Sequence, residues 1–486
     1  HLFVDPKKVL DEWDQVLFQQ FQATNDHLHE GLNPYVKIGT NGLFSLSTPK
    51  QEEQAIELLR PYFPDQHFVP LPEVLSTVNK HTKFLDEFQH RQQRHIKGRV
   101  ADKILYAGII GLGCAIGTPK MGRISHQINE ASLQHAVNWY FTLENIQAAN
   151  DSVVRTMDKM DLPNAYRQPG DLLHTASDGQ KFEVRVDSLN ASHSFKYFGK
   201  GQGVTAYTFI DKRNLLWHSL VFSAAERESA YVIDGLMRND VVKSEIHSTD
   251  THGYSEVIFA ITHLLGFSYA PRIKNLKKQT LYIFKSRQNR DQAGWKIKPV
   301  KYVNRKSIEE CWDDILRLVV TIKLKETTAS DIFRRLNSYS RQHTLYQALK
   351  AFGQIIKSLF ILGYIDNVEL RQAIESQLNK VELANRFTRA VSVGNPREFT
   401  QGEKEEQEIA EACNRLIKNS IICWNYLYLS QKLERMSDPH QKERLIAAVI
   451  SHSPMSWSHI NLLGEYDFSD EKLEDSVGIQ LPKREV

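Results

Sequence analysis

The order of secondary-structure signals along the chain restricts the fold more than any other feature. Residues 171–273 contain short runs rich in β-branched and aromatic residues, bounded by turn dipeptides. The residues before about position 150 and those after the basic stretch that ends at Lys306 carry apolar side chains at helical spacing instead. Because the middle region has the order β-β-β-α-β-α-β, we predict an α/β protein with one mixed sheet, covered by helices, and large all-α additions.

The predicted elements can be placed on the sequence. Asp171–Val186 is predicted to form two strands separated by a hairpin turn at Asp178-Gly179, since Asp-Gly is a common two-residue hairpin loop. The other predicted strands and the helices between them are Val204–Ile210, Leu215–Phe222, Ser229–Met237 (helix), Ser244–Ser248, Ser255–Leu265 (helix) and Tyr269–Ile273. The predicted C-terminal helices are Ile308–Lys325, Ala329–Leu336, Thr344–Leu362, Val368–Val391, Glu403–Glu434 and Gln441–Ile450.

Charge is distributed unevenly along the chain. The whole sequence has 61 Lys and Arg against 58 Asp and Glu, a net charge of +3. The stretch from Arg272 to Lys306 has twelve basic residues and one acid, so its net charge is +11 and that of the remainder is −8. Aromatic residues are interleaved with these charges: Tyr282, Phe284, Trp295 and Tyr302. Because basic side chains neutralise phosphates and aromatic rings stack on bases, we interpret the stretch as part of a nucleic-acid groove; the alternative is a solvated basic loop.

Three carboxylates are candidates for a metal site. Asp178 and Asp250 lie at the ends of predicted strands, where a carboxylate can project from a sheet edge, although each, taken alone, is more typical of a turn. Glu382 shares one face of a predicted helix with two arginines, and a solvated stripe of paired charges also explains that face. Two strand-borne Asp and one helix-borne Glu can hold two divalent ions for phosphoryl transfer, and such oxygen ligands favour magnesium or manganese. His247 and His252, which flank Asp250, offer a weaker transition-metal alternative.

Short motifs around these carboxylates occur in a fixed order. Ser177-Asp-Gly-Gln-Lys-Phe182 surrounds the first Asp, Thr249-Asp-Thr-His-Gly253 the second, and Leu378-Asn-Lys-Val-Glu382 ends in the Glu. The segments between and after them are Lys196–Gly199, Gly203–Thr205, Tyr231–Leu236, Leu264–Phe267, Ala270–Ile273, Trp424–Asn425, Tyr428–Leu429 and Ser453–Tyr466. In these motifs, over roughly residues 67–470, the sequence resembles the Tn-3 family of bacterial replicative (class II) DDE transposases. It departs from the family at Val381, where the family usually has Gly.

The resemblance implies an RNase H-like catalytic core that is interrupted by a helical insertion. The 132 residues from Asp250 to Glu382 require an insertion independently, because they far exceed a simple connection. The resemblance also implies that Asp178, Asp250 and Glu382 are the catalytic residues and bind two Mg²⁺ ions, for which Mn²⁺ can substitute. The reaction would be cleavage of the 3′ ends at transposon inverted repeats, followed by strand transfer into target DNA to give a cointegrate. The alternatives are an RNase H-like structure-specific nuclease without strand transfer and a non-catalytic DNA-binding scaffold.

The expected partner is double-stranded DNA, both transposon ends and target. The residues predicted to bind it are the basic residues of the +11 stretch up to Lys298, one lysine of an early motif and the two arginines beside the Glu: Lys196, Arg272, Lys274, Lys277, Lys278, Lys285, Arg287, Arg290, Lys296, Lys298, Arg386 and Arg389. Pairing two transposon ends implies a homodimer. No run of about 18 apolar residues is present, so no membrane span is predicted, and a bacterial cytoplasmic protein that associates with the nucleoid is expected.

The predicted division of the chain follows the same resemblance. It comprises residues 1–165, an N-terminal helical linker or dimerisation region; 166–285, the first part of the core; 286–366, the basic segment and helical insertion; 367–400, the second part of the core with the Glu helix; and 401–486, a C-terminal helical domain. Because the chain starts at His1 and residues before about 67 match weakly, the family's N-terminal end-recognition domains are expected to lie outside it.

Overall fold

A computed structural model describes residues 5–39, 44–49, 56–64, 68–92, 99–167, 170–238, 241–251, 254–286, 294–338, 343–464 and 466–479. Within these residues the predicted α/β class with large helical additions is confirmed: strands are concentrated in the middle of the chain and helices dominate on both sides.

The helices lie mostly outside the central region. Those before it are α1 (Pro6–His29), α2 (Leu71–Thr82), α3 (Asp102–Gly113), α4 (Thr118–Ile124), α5 (Glu130–Tyr140), α6 (Leu143–Asp158) and α7 (Asp161–Asn164). Those within it are α8 (Phe195–Phe198), α9 (Glu228–Met237) and α10 (Glu256–Leu265). Those after it are α11 (Arg305–Glu310), α12 (Trp312–Lys323), α13 (Ala329–Ser338), α14 (Thr344–Asp366), α15 (Val368–Val391), α16 (Lys404–Arg435) and α17 (Pro439–Ser451).

The longer strands belong to the central region. The strands are β1 (Val36–Ile38), β2 (Phe44–Leu46), β3 (Val69–Pro70), β4 (Ser125–His126), β5 (His174–Val184), β6 (Ser192–His193), β7 (Gln202–Asp211), β8 (His218–Ser223), β9 (Ile246–Thr249), β10 (Ser268–Tyr269), β11 (Tyr282–Ile283), β12 (Lys301–Tyr302), β13 (Glu398–Phe399), β14 (Ile460–Asn461) and β15 (Tyr466–Asp467). Short 3₁₀ helices cover Ile56–Tyr62, Phe84–Glu87, Leu276–Lys278 and Asp470–Lys472.

One mixed sheet of seven strands organises the centre of the molecule. Its path is β10-β9-β5-β7-β6, with β8 also paired to β7 and β13 also paired to β5. β5 is antiparallel to β7 along nearly its whole length. On its other edge β5 pairs in parallel with β9 up to Ser177 and with β13 from Glu183 onward. In the described residues no strand covers this edge of β5 between Ser177 and Glu183, so the sheet has an opening there.

The predicted hairpin at Asp178-Gly179 is wrong, because β5 runs through this dipeptide without a break. Asp178 pairs with Thr208 of β7 in the middle of the ladder. A Cβ atom at Gly179 would lie 2.5 Å from Oε1 of Glu228 and 2.7 Å from Cγ2 of Thr205. The glycine therefore permits close packing inside a strand and does not form a turn.

Two long helices hold the sheet in place. α15 has the predicted bounds, and Val381, the departure from the family motif, is fully buried within an unbroken helix. α16 is buried along most of its length and packs against α3, α6 and β8, so it joins the N-terminal helices to the sheet. The two helices therefore connect segments that are distant in sequence.

α14 is long and apolar enough to cross a membrane by length and composition, which the sequence reading did not anticipate. Two thirds of its apolar window (67%) is buried inside the protein, where α10 and α1 pack against it. Burial of this kind is typical of the core helix of a globular protein, and we interpret α14 as one.

Candidate active site

Asp178 and Asp250 lie beside each other at the opening in the sheet. β9 is parallel to β5, and the last residue pair between them is Ser177 with Thr249. Asp178 and Asp250 are the next residues along each strand. Because neighbouring strands are about 4.8 Å apart, this register brings the two aspartates to the same edge of the sheet.

Glu382 reaches the same place from α15. Nδ2 of Asn385 donates a hydrogen bond of 3.0 Å to Oδ2 of Asp178, which fixes α15 against β5. Residues three apart in a helix lie on the same face, so Glu382 faces the same side as Asn385, one turn earlier. Its side chain is exposed at the surface of this face. Glu382 is therefore on the face of α15 that packs against β5 at Asp178.

The pKa of Asp178 is affected by the other carboxylates of the site. Burial and the neighbouring charge of Glu228, with smaller contributions from Asp250 and Glu382, raise the pKa of Asp178 to about 7. The Gly179 backbone N–H opposes the change but does not cancel it. A carboxyl group whose pKa is raised by like charges lies in a region of negative potential, which a bound cation would relieve.

Asp250 is held in a different way. Arg272 donates two hydrogen bonds to its Oδ1, from Nε at 3.2 Å and Nη2 at 2.9 Å, and Nζ of Lys274 lies 3.5 Å from its Oδ2. Burial pushes the pKa of Asp250 upward, but the Thr251 backbone N–H together with Arg272 and Lys274 holds this pKa below its usual value. Two basic residues predicted to bind DNA thus neutralise one carboxylate of the site.

The donor set of this site fits a divalent cation in its chemistry. Among the described residues no three His, Cys, Asp or Glu side chains form a ready set of metal ligands. Asp250 is paired with Arg272 and Lys274. The three carboxylates offer hard oxygen atoms, which Mg²⁺ and Mn²⁺ prefer, and the potential at Asp178 favours positive charge. Asp178, Asp250 and Glu382 could therefore hold such ions once Asp250 is released.

The sequence analysis missed a fourth carboxylate, Glu228, and two residues that contact the carboxylates, Lys181 and Asn385. Oε1 of Glu228 lies 3.4 Å from Nζ of Lys181, and its charge is the largest single electrostatic influence on Asp178. Asn385 binds Asp178 directly. Glu228 begins a helix, where an acid is common for dipole reasons alone, so the sequence carries no signal that separates it from other first-turn acids.

The histidine alternative fails at His247. Both of its ring nitrogens are engaged in hydrogen bonds of 2.8 Å, Nδ1 with Oγ1 of Thr175 and Nε2 with Oγ of Ser177. Burial lowers the pKa of His247 to about 3, so it is a neutral core residue. His252 lies outside the described residues.

The predicted DNA-binding residues have varied surroundings. The side chains that are exposed are Lys196, Lys274, Lys278, Lys285, Lys296, Lys298, Arg386 and Arg389, whereas Arg272 is half-buried against Asp250. Nζ of Lys296 donates to the carbonyl oxygen of Leu28 at 3.0 Å. Arg287, Arg290 and the side chain of Lys277 lie outside the described residues. DNA binding by these residues stays a prediction.

Two of the four aromatic residues in the basic stretch, Trp295 and Phe284, do not fit the proposed base stacking. Trp295 is buried and stacks on Phe21 of α1, with ring centroids 5.3 Å apart, and Phe284 is buried as well. Tyr302 is exposed. Trp295 anchors the basic segment to α1, a role that composition alone does not distinguish from nucleic-acid contact.

Comparison with known proteins identifies related sequences. A family model described as the Tn3 transposase DDE domain matches residues 73–466. The transposase for transposon Tn1546 of Enterococcus faecium is 32% identical over 412 residues, which cover 83% of this chain and 40% of the relative. The transposase for transposon Tn501 of Pseudomonas aeruginosa is 32% identical over 415 residues (84% and 41%), and that for transposon gamma-delta of Escherichia coli K12 is 29% identical over 479 residues (96% and 46%). The chain thus spans less than half the length of these relatives.

Proposed function

Because the chain belongs to the Tn3 transposase DDE domain family, we propose that it carries out the phosphoryl-transfer chemistry of DNA transposition on an RNase H-like core. The proposed reaction is cleavage of the 3′ ends at transposon inverted repeats and strand transfer into target DNA, as in replicative transposition. The observation that supports it most directly is the Asp178–Asn385 hydrogen bond, because it joins α15, the helix of Glu382, to the middle of β5, next to the end of β9 that precedes Asp250. No residue of this arrangement is close to another in sequence except the Asn385–Glu382 pair.

The three carboxylates have complementary roles in this proposal. Asp178, Asp250 and Glu382 would hold two Mg²⁺ ions, with Mn²⁺ as a substitute, and the ions would supply activation of the attacking oxygen and stabilisation of the leaving oxygen. Asn385 orients the Asp178 carboxylate by donating to one of its oxygens. Glu228 adds negative charge next to Asp178 and increases the attraction of the site for cations.

Arg272 and Lys274 would exchange partners when DNA binds. In the structure both contact the carboxylate of Asp250. A phosphate group offers a guanidinium the same two-point hydrogen bonding that a carboxylate does. We infer that the DNA backbone attracts these side chains away from Asp250, which then becomes available as an ion ligand. Ion binding and DNA binding would therefore support each other.

The partners and the cellular setting follow from the same proposal. The DNA would be double-stranded, and the exposed basic residues from Lys274 to Lys298, with Lys196, Arg386 and Arg389, would contact its phosphates. Joining two transposon ends in one complex calls for two active sites, so we propose a homodimer. The expected location is the bacterial cytoplasm, at the nucleoid.

The test uses a labelled duplex that already ends in a 3′-hydroxyl, a supercoiled plasmid as target, and the 486-residue chain with Mg²⁺ or Mn²⁺. Asp178→Asn and Glu382→Gln should each retain DNA binding in a gel-shift assay but lose strand transfer by at least about a hundredfold. Glu369→Gln, which neutralises an exposed acid in the first turn of the same helix, is the matched control and should behave as the unmodified protein.

The products separate this proposal from its alternatives. Strand transfer by Asp178→Asn and Glu382→Gln at the rate of the unmodified protein would refute the assignment of these residues. Metal-dependent nicking by the unmodified protein without joined products would identify a nuclease. Salt-sensitive DNA binding without any metal-dependent product would identify a non-catalytic scaffold.

A further inference from the structure

A polar cavity lies outside the candidate active site. Its volume is about 360 Å³, and none of the four carboxylates described above lines it. Its walls come from α6, the start of β8, the residue after α9, the residues after α12 and the middle of α16. Segments from the N-terminal helices, the sheet, the region between Asp250 and Glu382, and the C-terminal helices therefore meet around one space.

The charged lining of this cavity is strongly positive. Arg155, Arg238, Lys325 and Arg415 line it, against the single acid Asp151. The side chains of Arg155, Arg238 and Lys325 are exposed and form the rim of the cavity, whereas Arg415 is only 1% exposed and lies at its base. Four cationic groups around one acid create a potential that attracts an anion with more than one negative charge.

The base of the cavity contains hydrogen-bond donors that have no partner among the described residues. They are Nε1 of Trp217, and Nε and Nη1 of Arg415; Nε2 of His218 is also without a partner. Burial, followed by the charges of Arg415 and Arg238, lowers the pKa of His218 well below its usual value, so its ring is neutral. Buried polar groups without partners are unfavourable and uncommon in folded proteins, particularly when one of them is a guanidinium.

Burial also lowers the pKa of Arg415, and the nearby carboxylates Glu411 and Asp151 do not offset this effect. An additional anion beside Arg415 would stabilise the charged guanidinium and accept the hydrogen bonds that its Nε and Nη1 do not make. The recessed donors and the cations of the rim are thus suited to the same kind of ligand.

We propose that this cavity binds a compact anion with two or more phosphate groups, such as pyrophosphate or the phosphate chain of a nucleoside polyphosphate. The volume suits a small ligand, since small-molecule sites usually measure about 300–1,000 Å³. A DNA duplex could present phosphates to the rim cations but not to Trp217 and Arg415, which are 2% and 1% exposed. Because the walls come from four separate parts of the chain, the ligand would also fix these parts relative to one another.

Isothermal titration calorimetry of the 486-residue chain in EDTA tests this proposal, with inorganic pyrophosphate and ATP as the probes. We expect one saturable site per chain. Arg155→Gln and Arg238→Gln should each weaken binding by about tenfold, since each removes a charge-assisted contact. Arg444→Gln, which removes an exposed arginine from α17 away from the cavity lining, is the matched control and should not change the affinity.

Arg415→Met should abolish binding, and the two rim variants keep the test decisive if this buried substitution prevents folding. The absence of saturable binding by either probe would overturn the proposal, as would equal affinities for the rim variants and the control. A 20-base-pair duplex that displaces pyrophosphate, and whose binding is weakened by the same rim substitutions, would assign the cavity to DNA instead and would also overturn it.

Discussion

Replacing Asp178 with Asn should make the metal-free protein more stable at neutral and alkaline pH. The pKa of Asp178 is about 7 in the folded chain against an ordinary value of 3.8. Between these two pH values the folded protein retains a proton that the unfolded chain releases, so the free energy of unfolding falls as the pH rises. A difference of about 3 pKa units corresponds to about 4 kcal/mol, which is fully expressed only above pH 7. Asn keeps the shape of Asp, can accept the hydrogen bond from Asn385, and has no charge to destabilise.

The assay is urea unfolding of both proteins in EDTA, followed by circular dichroism at several pH values. At pH 8 the free energy of unfolding of Asp178→Asn should exceed that of the unmodified protein by up to about 4 kcal/mol, and the difference should vanish near pH 4. Mg²⁺ should then raise the stability of the unmodified protein but not that of the variant, because only the carboxylate gains from a nearby cation.

Asp250→Asn provides a control of opposite sign. Arg272 and Lys274 hold the pKa of Asp250 below its usual value, so its charge is stabilising at neutral pH and this stabilisation is lost as the pH falls. Its replacement should therefore lower the stability at pH 8. The reasoning is refuted if Asp178→Asn is no more stable than the unmodified protein at pH 8, or if the difference between them is the same at pH 5 and pH 8.

Other substitutions test the packing that supports the site. In Gly353→Ala the new Cβ would lie 1.7 Å from the carbonyl oxygen of Glu256, so α14 and α10 must separate, and thermal unfolding should show a loss of roughly 3 kcal/mol or more. Gly363→Ala in the same helix, where a Cβ meets no atom within 4 Å, should stabilise the protein by about 0.5–1 kcal/mol; equal effects of the two substitutions would contradict the proposed contact. Asn385→Ala removes the hydrogen bond to Asp178 and should slow strand transfer by roughly tenfold at saturating Mg²⁺ without changing DNA affinity in gel shifts; an unchanged rate would show that Asn385 does not position the carboxylate.

The regular helices were the part of the fold that the sequence predicted best. α15 begins and ends at the predicted residues, because its apolar positions recur at helical spacing and Asn367 caps its first turn. Asp178-Gly179 shows the opposite case. The same dipeptide can form a turn or allow close packing within a strand, and only the pairing with β7 and the contact of Gly179 with Glu228 decide between them. Such contacts join distant segments, so no local pattern contains them.

The candidate site also contains residues that the sequence identified and residues that only the fold reveals. Motif order singled out Asp178, Asp250 and Glu382. In the structure the register of β5 and β9 puts Asp178 next to Asp250, and Asn385 joins the helix of Glu382 to Asp178, while the role of the three residues stays a prediction. The residues that shift the pKa values of these carboxylates, such as Glu228 beside Asp178, could not be predicted, because their effect depends on a distance across the fold. The composition of the basic stretch suggested base stacking by its aromatic residues, and this fails at Trp295 for a related reason. Trp295 stacks on Phe21 in α1, more than 270 positions away in sequence.

The charges around the opening in the sheet connect the basic stretch to the carboxylates. The +11 stretch begins at Arg272, and its first two basic side chains form ion pairs with Asp250. Asp178, only one strand away, has no cationic partner among the described residues, and burial together with the charge of Glu228 raises its pKa to about 7. Asp250 thus has two basic partners that could move to DNA phosphates, whereas Asp178 would gain from a bound cation. A divalent ion would compensate the negative charge at Asp178, and DNA phosphates at Arg272 would free Asp250 to bind the ion. We therefore expect metal ions and DNA to bind with positive coupling, each raising the affinity for the other.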